Sequence, residues 1–333
     1  MQQRTRVVAG ITAIALAGVV AGCGTGTAKS PATGKASTTA GRVYVAYAGS
    51  LQQLNSKEIG PGFHKATGAQ YRGQGGGSYG MAHLVATGSI QANVFESIGT
   101  GPLKDLGRRV PWAVGMASSP LVIAYSPASP YAKTFAAIKS GKLPLKNLFE
   151  LMAQPGFHLG RTNPATDPQG QAFVMMVHGA QSLYKLPVGT AEKILGTLEN
   201  PQQIFAEEAI LSRLQAGQLD AASAFLSEAI QLHLDYIALP NAINFGDPAD
   251  QAQYAQLRLN LGAGKTVTGS TLEIYAAPLA GSFDAKTANA FVQYLLSPAG
   301  LKILKSQGYQ LTTSVVMGSR SSIPSRIRQE LKR

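Results

Sequence analysis

Two short stretches place a serine hydroxyl behind small residues: Ala48-Gly49-Ser50 and Gly75-Gly76-Gly77-Ser78. Each stands where a strand-like run hands over to a helix-like one. The first backbone N–H groups of a helix lack intrahelical partners and carry the positive end of its dipole. A glycine there admits close approach and the serine adds a donor. Two such ends facing one cleft would cradle an anion without lysine or arginine. Ser50 and Ser78, with Gly49 and Gly77 beside them, are therefore candidate ligand-binding residues. The plain alternative is that each serine caps its helix.

Gly76-Gly77-Ser78-Tyr79-Gly80 also fits G-x-S-x-G, the nucleophile elbow of serine hydrolases, which would make Ser78 a nucleophile. Asp167 or Asp220 followed by His178 or His233 has the required chain order, but the glycine-rich surroundings make so short a match cheap. A binding protein, not an enzyme, is the expectation. The same glycines make no dinucleotide fingerprint, and no cofactor is expected. The five histidines show no paired metal-ligand spacing and there is one cysteine, so no bound metal ion is expected.

The most distinctive loop is Gly160-Arg161-Thr162-Asn163-Pro164-Ala165-Thr166-Asp167-Pro168-Gln169-Gly170. Two prolines stiffen it, with Asp167 next to the second. Asp167 either N-caps the adjoining helix or faces a ligand. A carboxylate beside a dianion is unfavourable unless it bonds the central atom or a proton is present.

The elements that must position these residues alternate. Arg42 to Tyr47, Asn93 to Phe95, Leu121 to Tyr125, Phe157 to Gly160, Ala221 to Phe225 and Leu272 to Ala276 read as strands. Leu51 to Thr67 (broken at Pro61), Tyr79 to Thr87, Gln169 to Leu186, Glu208 to Gln215, Ser227 to Leu234 and Ala285 to Gln307 read as helices. That alternation predicts an α/β fold with largely parallel sheets.

The N-terminus carries Arg4 and Arg6 before an apolar run that ends Val20-Ala21-Gly22-Cys23. A basic start, a short apolar stretch and small residues describe an export signal, shorter than the roughly 20 residues of a membrane span. Val-Ala-Gly-Cys resembles a bacterial lipobox, which makes Cys23 a lipidated residue after removal of 1–22. Residues 23–40 are Gly, Thr, Ser, Ala and Lys in the main and read as a flexible tether. The expected protein is exported, lipid-anchored at the cell membrane and free of disulfides. The formal charge of +12 is spread along the chain, and no basic run is interleaved with aromatics, so nucleic-acid binding is not expected. The excess favours an anionic membrane surface or anionic ligands.

These residues carry a resemblance. From Arg42 onward the chain resembles the archaeal-type molybdate/tungstate-binding proteins, extracytoplasmic receptors of ABC importers. The matching pieces include Val45-Ala-Tyr-Ala-Gly-Ser-Leu51, Gly73 to Ser78, Gly160 to Gly170, Gly217-Gln-Leu-Asp220, Tyr236-Ile-Ala-Leu-Pro240 and Ile243-Asn-Phe-Gly-Asp-Pro248. The resemblance implies a type II periplasmic-binding-protein fold: two α/β lobes, a ligand cleft between them and two crossover hinge segments. The lobes would be 41–120 plus 262–333, and 121–261. It implies a monomer that binds molybdate or tungstate, or another anion such as sulfate or phosphate, and delivers it to a membrane permease. Ser50 and Ser78 match the family's ligand serines and Asp167 its first carboxylate, a possible ligand to the molybdenum or tungsten centre. The second carboxylate is a glutamate at the position of Ala224, and Asn93 replaces a further family acid. With that glutamate missing, the oxyanion is expected nearer four- or five-coordinate than six, Ser223 could donate a hydrogen bond instead, and Glu228 lies past the predicted strand end.

Overall fold

The computed structural model describes residues 41–331; the expected export segment, Cys23, the expected tether, Lys332 and Arg333 lie outside them. Two sheets organise this part of the chain. Strands β1 (Arg42–Ala48), β2 (Gln70–Gly76), β3 (Val94–Ile98), β4 (Trp112–Ser118), β11 (Glu273–Pro278) and β12 (Gln310–Gly318) form one, in the order β12-β4-β11-β3-β1-β2. Strands β5 (Leu121–Tyr125), β6 (Leu159–Gly160), β7 (Ala221–Phe225) and β8 (Asp235–Ala238) form the other, in the order β6-β7-β5-β8. A small ribbon pairs β9 (Arg258–Asn260) with β10 (Thr266–Thr268).

Central strands β3, β4 and β11 are buried at every residue, as sheets covered on both faces require. The glycine-rich β2 is exposed or half-buried throughout and stands at an edge. Helices Gly60–Thr67 and Ala285–Leu296 pack on the first sheet through Phe63 and Phe291, whose rings meet edge-on at 5.2 Å. Helix Pro168–Leu183 is buried along most of its length in the second.

The chain passes between sheets twice. β4 ends at Ser118, and after Ser119-Pro120 the chain enters the second sheet as β5. It returns through the β9–β10 ribbon, whose turn holds Leu261 and Gly262, and rejoins the first sheet at Glu273. The two crossings are bonded side by side: Ser119 N–H donates to Leu272 O at 3.4 Å, and Ser118 Oγ to Gly246 O at 2.7 Å. This is the two-lobed α/β architecture with a double crossover that the resemblance implied.

The expectation of largely parallel sheets is corrected. β1 pairs in parallel with β2 and β3, and β6 with β7, but β11 runs against β3 and β4, β12 against β4, and β5 against β7 and β8. A strand that re-enters its sheet from the other lobe arrives at the cleft end and must run back against its neighbours. Strands β4, β8, β9, β10 and β12 lie outside the strands that the sequence pattern predicts. β4 and β12 carry Gly115 and a Thr-Thr-Ser run that blur the alternation.

Among the described residues, no helix is long and apolar enough to cross a membrane.

Candidate anion-binding site

β1 and β2 lie side by side in parallel, with Ala48 opposite Gly76. Their C-terminal ends therefore deliver Gly49-Ser50 and Gly77-Ser78 to the same edge of the cleft. The chain beyond β1 is helical from Gly49 to Thr67, as expected from Leu51, but not as one regular α-helix: Gly49–Leu51 makes a tight 3-10 turn, Gln52 and Gln53 are α, Leu54–Ile59 is a π segment, and Gly60–Thr67 is α-helical. Pro61 therefore lies inside a continuous helix, and the irregularity beside it is the π segment that ends at Ile59.

Ser78 is the first residue of helix Ser78–Ala86, with Gly77 at the N-cap and no side chain capping. Its hydroxyl accepts from the Ile98 N–H at 3.3 Å, and the residue is 1% exposed. Simple N-capping does not describe it. Ser50 is buried too, and its Oγ has no hydrogen-bond partner.

The second lobe answers both ends. Asp167 caps helix Pro168–Leu183, its Oδ1 accepting from Gln169 N at 2.7 Å. Its Oδ2 faces Gly77: a β-carbon there would lie 3.2 Å from Oδ2 and 2.8 Å from Thr166 O. Thr166 O also accepts from the N–H groups of Tyr79 and Gly80, at 3.0 and 3.3 Å. Capping and cleft-facing are thus divided between the two oxygens of one carboxylate, and Gly77 is glycine because the other lobe's backbone comes so close.

Glu207 does the same at Gly49. It opens helix Glu207–Gln215, and the Ser50 backbone N–H close to its carboxyl favours the charged form. A β-carbon at Gly49 would run into Glu207 Oε2 and come within 2.7 Å of Glu208 Oε1. The helix is held in place by the fully buried Arg161. That guanidinium donates to Gln203 Oε1 and to the carbonyls of Thr197 and Leu198, each at 3.0 Å, in the segment that leads to Glu207.

Gln169 ties the carboxylates together. Its Nε2 donates to Glu207 Oε1 at 3.2 Å and to Glu228 Oε2 at 3.3 Å, and its Oε1 accepts from Ser223 Oγ at 2.8 Å. Ser223 therefore reaches the cleft through Gln169. Glu228 sits in the first turn of helix Leu226–Gln231 and also accepts from Phe225 N at 2.8 Å, so it is both a cap and a wall of the cleft. Ala224 is fully buried, in an apolar cluster with Ile210 and Leu211 of the helix that Glu207 opens.

Burial makes these carboxyls hard to ionise. Asp167 is pushed up to about 7, chiefly by burial and further by Glu208, against the Gln169 N–H bond. Glu228 is pushed up to about 8 by burial and by Asp167. Glu207 is raised by burial, then by Asp167, Glu228 and Glu208, with the Ser50 N–H opposing. A cavity of about 240 Å³ adjoins Glu207 and Glu228, and Gly49 and Ser50 line it too.

The structure thus sets Gly77 against Asp167 and Thr166, and Gly49 and Ser50 against Glu207, with Gln169 bonded to Asp167, Glu207 and Glu228 between them; Ser78 Oγ is turned to Ile98 N. Sequence reasoning missed Glu207 because an acid pair opening a helix is ordinary dipole compensation. Gln169 lies two residues from Asp167, but nothing in its type signals a bridging role. The hydrolase alternative is not assembled: Ser78 is buried, whereas His178 and His233 are exposed. Asp220 is engaged by Ser129 Oγ at 2.6 Å and His158 N at 2.8 Å. Among the described residues, no group of three or more His, Cys, Asp or Glu is placed to hold a metal ion.

Comparison with known proteins agrees with this fold. The model of a family described as bacterial extracellular solute-binding proteins matches residues 43–310. A Haloferax volcanii protein assigned as an ABC transporter molybdenum-binding protein is 29% identical over 90% of this chain and 90% of its own. The molybdate/tungstate-binding protein WtpA of Pyrococcus abyssi is 27% identical over 61% of this chain and 63% of its own. These relatives bear out the resemblance read from the motifs. Among solved structures, the periplasmic molybdate-binding protein of Azotobacter vinelandii superposes with a TM-score of 0.54, at 18% identity, covering 81% of this chain and 99% of that one. The sulfate-binding protein SubI of Mycobacterium tuberculosis gives 0.55, at 15% identity, covering 81% and 86%. At such identities the likeness shows the fold.

Proposed function

We propose that this chain, which belongs to the bacterial extracellular solute-binding protein family, is the receptor of an ABC importer and carries a tetrahedral oxyanion, molybdate or tungstate, between its lobes. The observation that carries this reading is the close approach of Asp167, from one lobe, to Gly77 in the other, at the end of β2 and beside the end of β1 that carries Ser50. Serine donors on one side suit oxo groups, and a carboxylate opposite suits a central atom able to take a further oxygen ligand. The relatives named for molybdenum and for molybdate/tungstate support the same choice.

The lobes we assign are 41–120 with 262–333, and 121–261, so that binding in the cleft draws on both. Cys23 is the lipid anchor, the protein acts as a monomer outside the cytoplasm, and its partner is a membrane permease. Cys23→Ala should release it from membranes on fractionation.

Calorimetric titration of soluble protein lacking 1–23 with molybdate, tungstate, sulfate and phosphate tests the reading. We expect saturable binding of molybdate or tungstate at one site per chain; heat with neither would overturn it.

A further inference from the structure

We propose that Glu207 is the residue that decides which tetrahedral oxyanions this cleft accepts. It penalises those that can neither take an extra oxygen ligand nor bring a proton. This rests on the oxyanion reading above and names its selectivity.

Glu207 belongs to the second lobe, yet its carboxylate reaches Gly49 and Ser50, where the first lobe offers its donors to an anion. The contact is intimate, since Gly49 leaves no room for a β-carbon against Glu207 Oε2. Beside it, Ser50 is only 5% exposed and its hydroxyl has no hydrogen-bond partner. Gly49, Ser50, Glu207 and Glu228 all line the adjoining cavity. An unused donor and a carboxyl thus share one site.

The groups facing Glu207 are uniformly acidic. Asp167 and Glu228 act on it from the same lobe, and Glu208 stands next in its helix. The one neutral donor among them, Gln169 Nε2, is shared between Glu207 and Glu228. An oxyanion entering here meets the Ser50 hydroxyl on one side and carboxyl oxygens on the other.

Oxyanions answer that wall differently. Sulfate carries acceptors only, and its sulfur does not expand its coordination, so each ionised carboxylate repels it. Hydrogen phosphate brings a proton that a carboxylate can accept. Molybdate and tungstate have a metal centre that can accept a carboxylate oxygen as an additional ligand. The same Glu207 therefore excludes sulfate and tolerates or engages the others, which is selectivity by a repulsive element rather than by a better fit. It also supplies, from a different place in the chain, an acid on the side of β7 where Ala224 lacks one: Ala224 packs against the helix that Glu207 opens.

The test is calorimetry on wild type and Glu207→Gln with molybdate, tungstate, sulfate and phosphate at about pH 7 and about pH 9.5, because only the ionised form of a carboxyl raised by burial repels an anion. At the higher pH we expect wild type to prefer molybdate over sulfate by about a hundredfold or more, and Glu207→Gln to cut that ratio by about tenfold or more. Should Glu207→Gln fail to fold, the wild-type panel still decides, together with Glu207→Asp, which keeps the charge but draws it back by one methylene. Equal affinity of wild type for sulfate and molybdate at that pH, or an unchanged ratio in the variants, would overturn the role of Glu207 while leaving the receptor reading intact. Binding of no oxyanion by wild type would overturn both.

Discussion

The hydroxyl of Ser223 donates to Gln169 Oε1 at 2.8 Å, and that one bond fixes which way the amide of Gln169 points. With Oε1 turned to Ser223, the NH2 end lies against Glu207 and Glu228. A residue at the centre of β7, with no carboxylate contact of its own, thereby sets how much donor capacity the acidic wall receives.

Ser223→Ala should therefore cost about 1 kcal/mol, the worth of a typical buried hydrogen bond, and lower the melting temperature by about 2 °C. Gln169→Leu should cost more, about 2–3 kcal/mol, because it leaves two buried carboxyls short of a donor. Thermal and denaturant unfolding check both, and a Ser223→Ala more costly than Gln169→Leu would show that the order of dependence is wrong.

Ser50→Ala and Ser78→Ala should each weaken molybdate or tungstate binding by about 1–3 kcal/mol. Their structural costs should differ. Ser50 Oγ has no partner in the protein, so its loss should leave stability unchanged within about 0.5 kcal/mol. Ser78 Oγ accepts from Ile98 N, so its loss leaves a buried N–H unsatisfied and should cost about 1 kcal/mol. Full affinity in both variants would remove the serines from the site.

The legibility of the fold and the site in the sequence depends on periodicity and on distance along the chain. Ala221–Phe225 is readable to the residue because a small buried run sits between clear turn signals. Pro168–Leu183 is readable because Asp167 and Pro168 announce its start. Ser50 and Ser78 are legible because glycines mark where backbone must come close. Glu207 is not: what makes it part of the site is Gly49 across the cleft, a contact between residues far apart in the chain, and no local pattern encodes that. Gly49 holds half of the signal, since its crowding could come only from another element. The mixed strand directions are equally hidden, because they depend on where the chain re-enters the first sheet.

Stability should fall as pH rises. Asp167 is raised to about 7 and Glu228 to about 8, Glu207 is raised with them, and burial also lifts Glu96 of the first lobe to about 7. In the unfolded chain such carboxyls ionise near about pH 4. Between those limits the folded protein binds more protons than the unfolded chain, so the free energy of unfolding decreases with pH. The contribution is whole below about pH 4 and is lost as pH passes through the folded values. Melting temperature should drop between about pH 5 and about pH 8.5, and Glu207→Gln should make that slope shallower. A melting temperature that rises across this window would contradict the burial of ionisable acids in the cleft.

The resemblance alone would have Ala224→Glu restore a sixth oxygen ligand. Packing argues otherwise. Ala224 is fully buried among Val122, Ile210 and Leu211, so a glutamate there would place a carboxyl in an apolar cluster beneath an already acidic wall. We expect a loss of stability on the order of 2–4 kcal/mol and no gain in tungstate affinity. Denaturant unfolding and calorimetry decide it; a stable variant with tighter tungstate binding would show that the side chain turns into the cleft after all.

Asp167→Asn separates the two duties of one carboxylate. Asparagine caps helices about as well as aspartate, so the bond from Gln169 N, at 2.7 Å in the wild type, can persist and stability should change little. The substitution removes the charge facing Gly77 and the acidic neighbour of Glu207. If Asp167 gives an oxygen to the molybdenum or tungsten centre, the variant should bind molybdate about tenfold less tightly or weaker, about 1.4 kcal/mol, while sulfate binding improves because a repelling charge is gone. X-ray absorption on the tungstate complexes reads the same event directly: loss of an oxygen ligand should move the variant's centre towards four-coordinate and strengthen its pre-edge feature. Tighter molybdate binding in Asp167→Asn, with an identical absorption spectrum, would mean that Asp167 only repels the anion and that its place in the cleft is that of a cap.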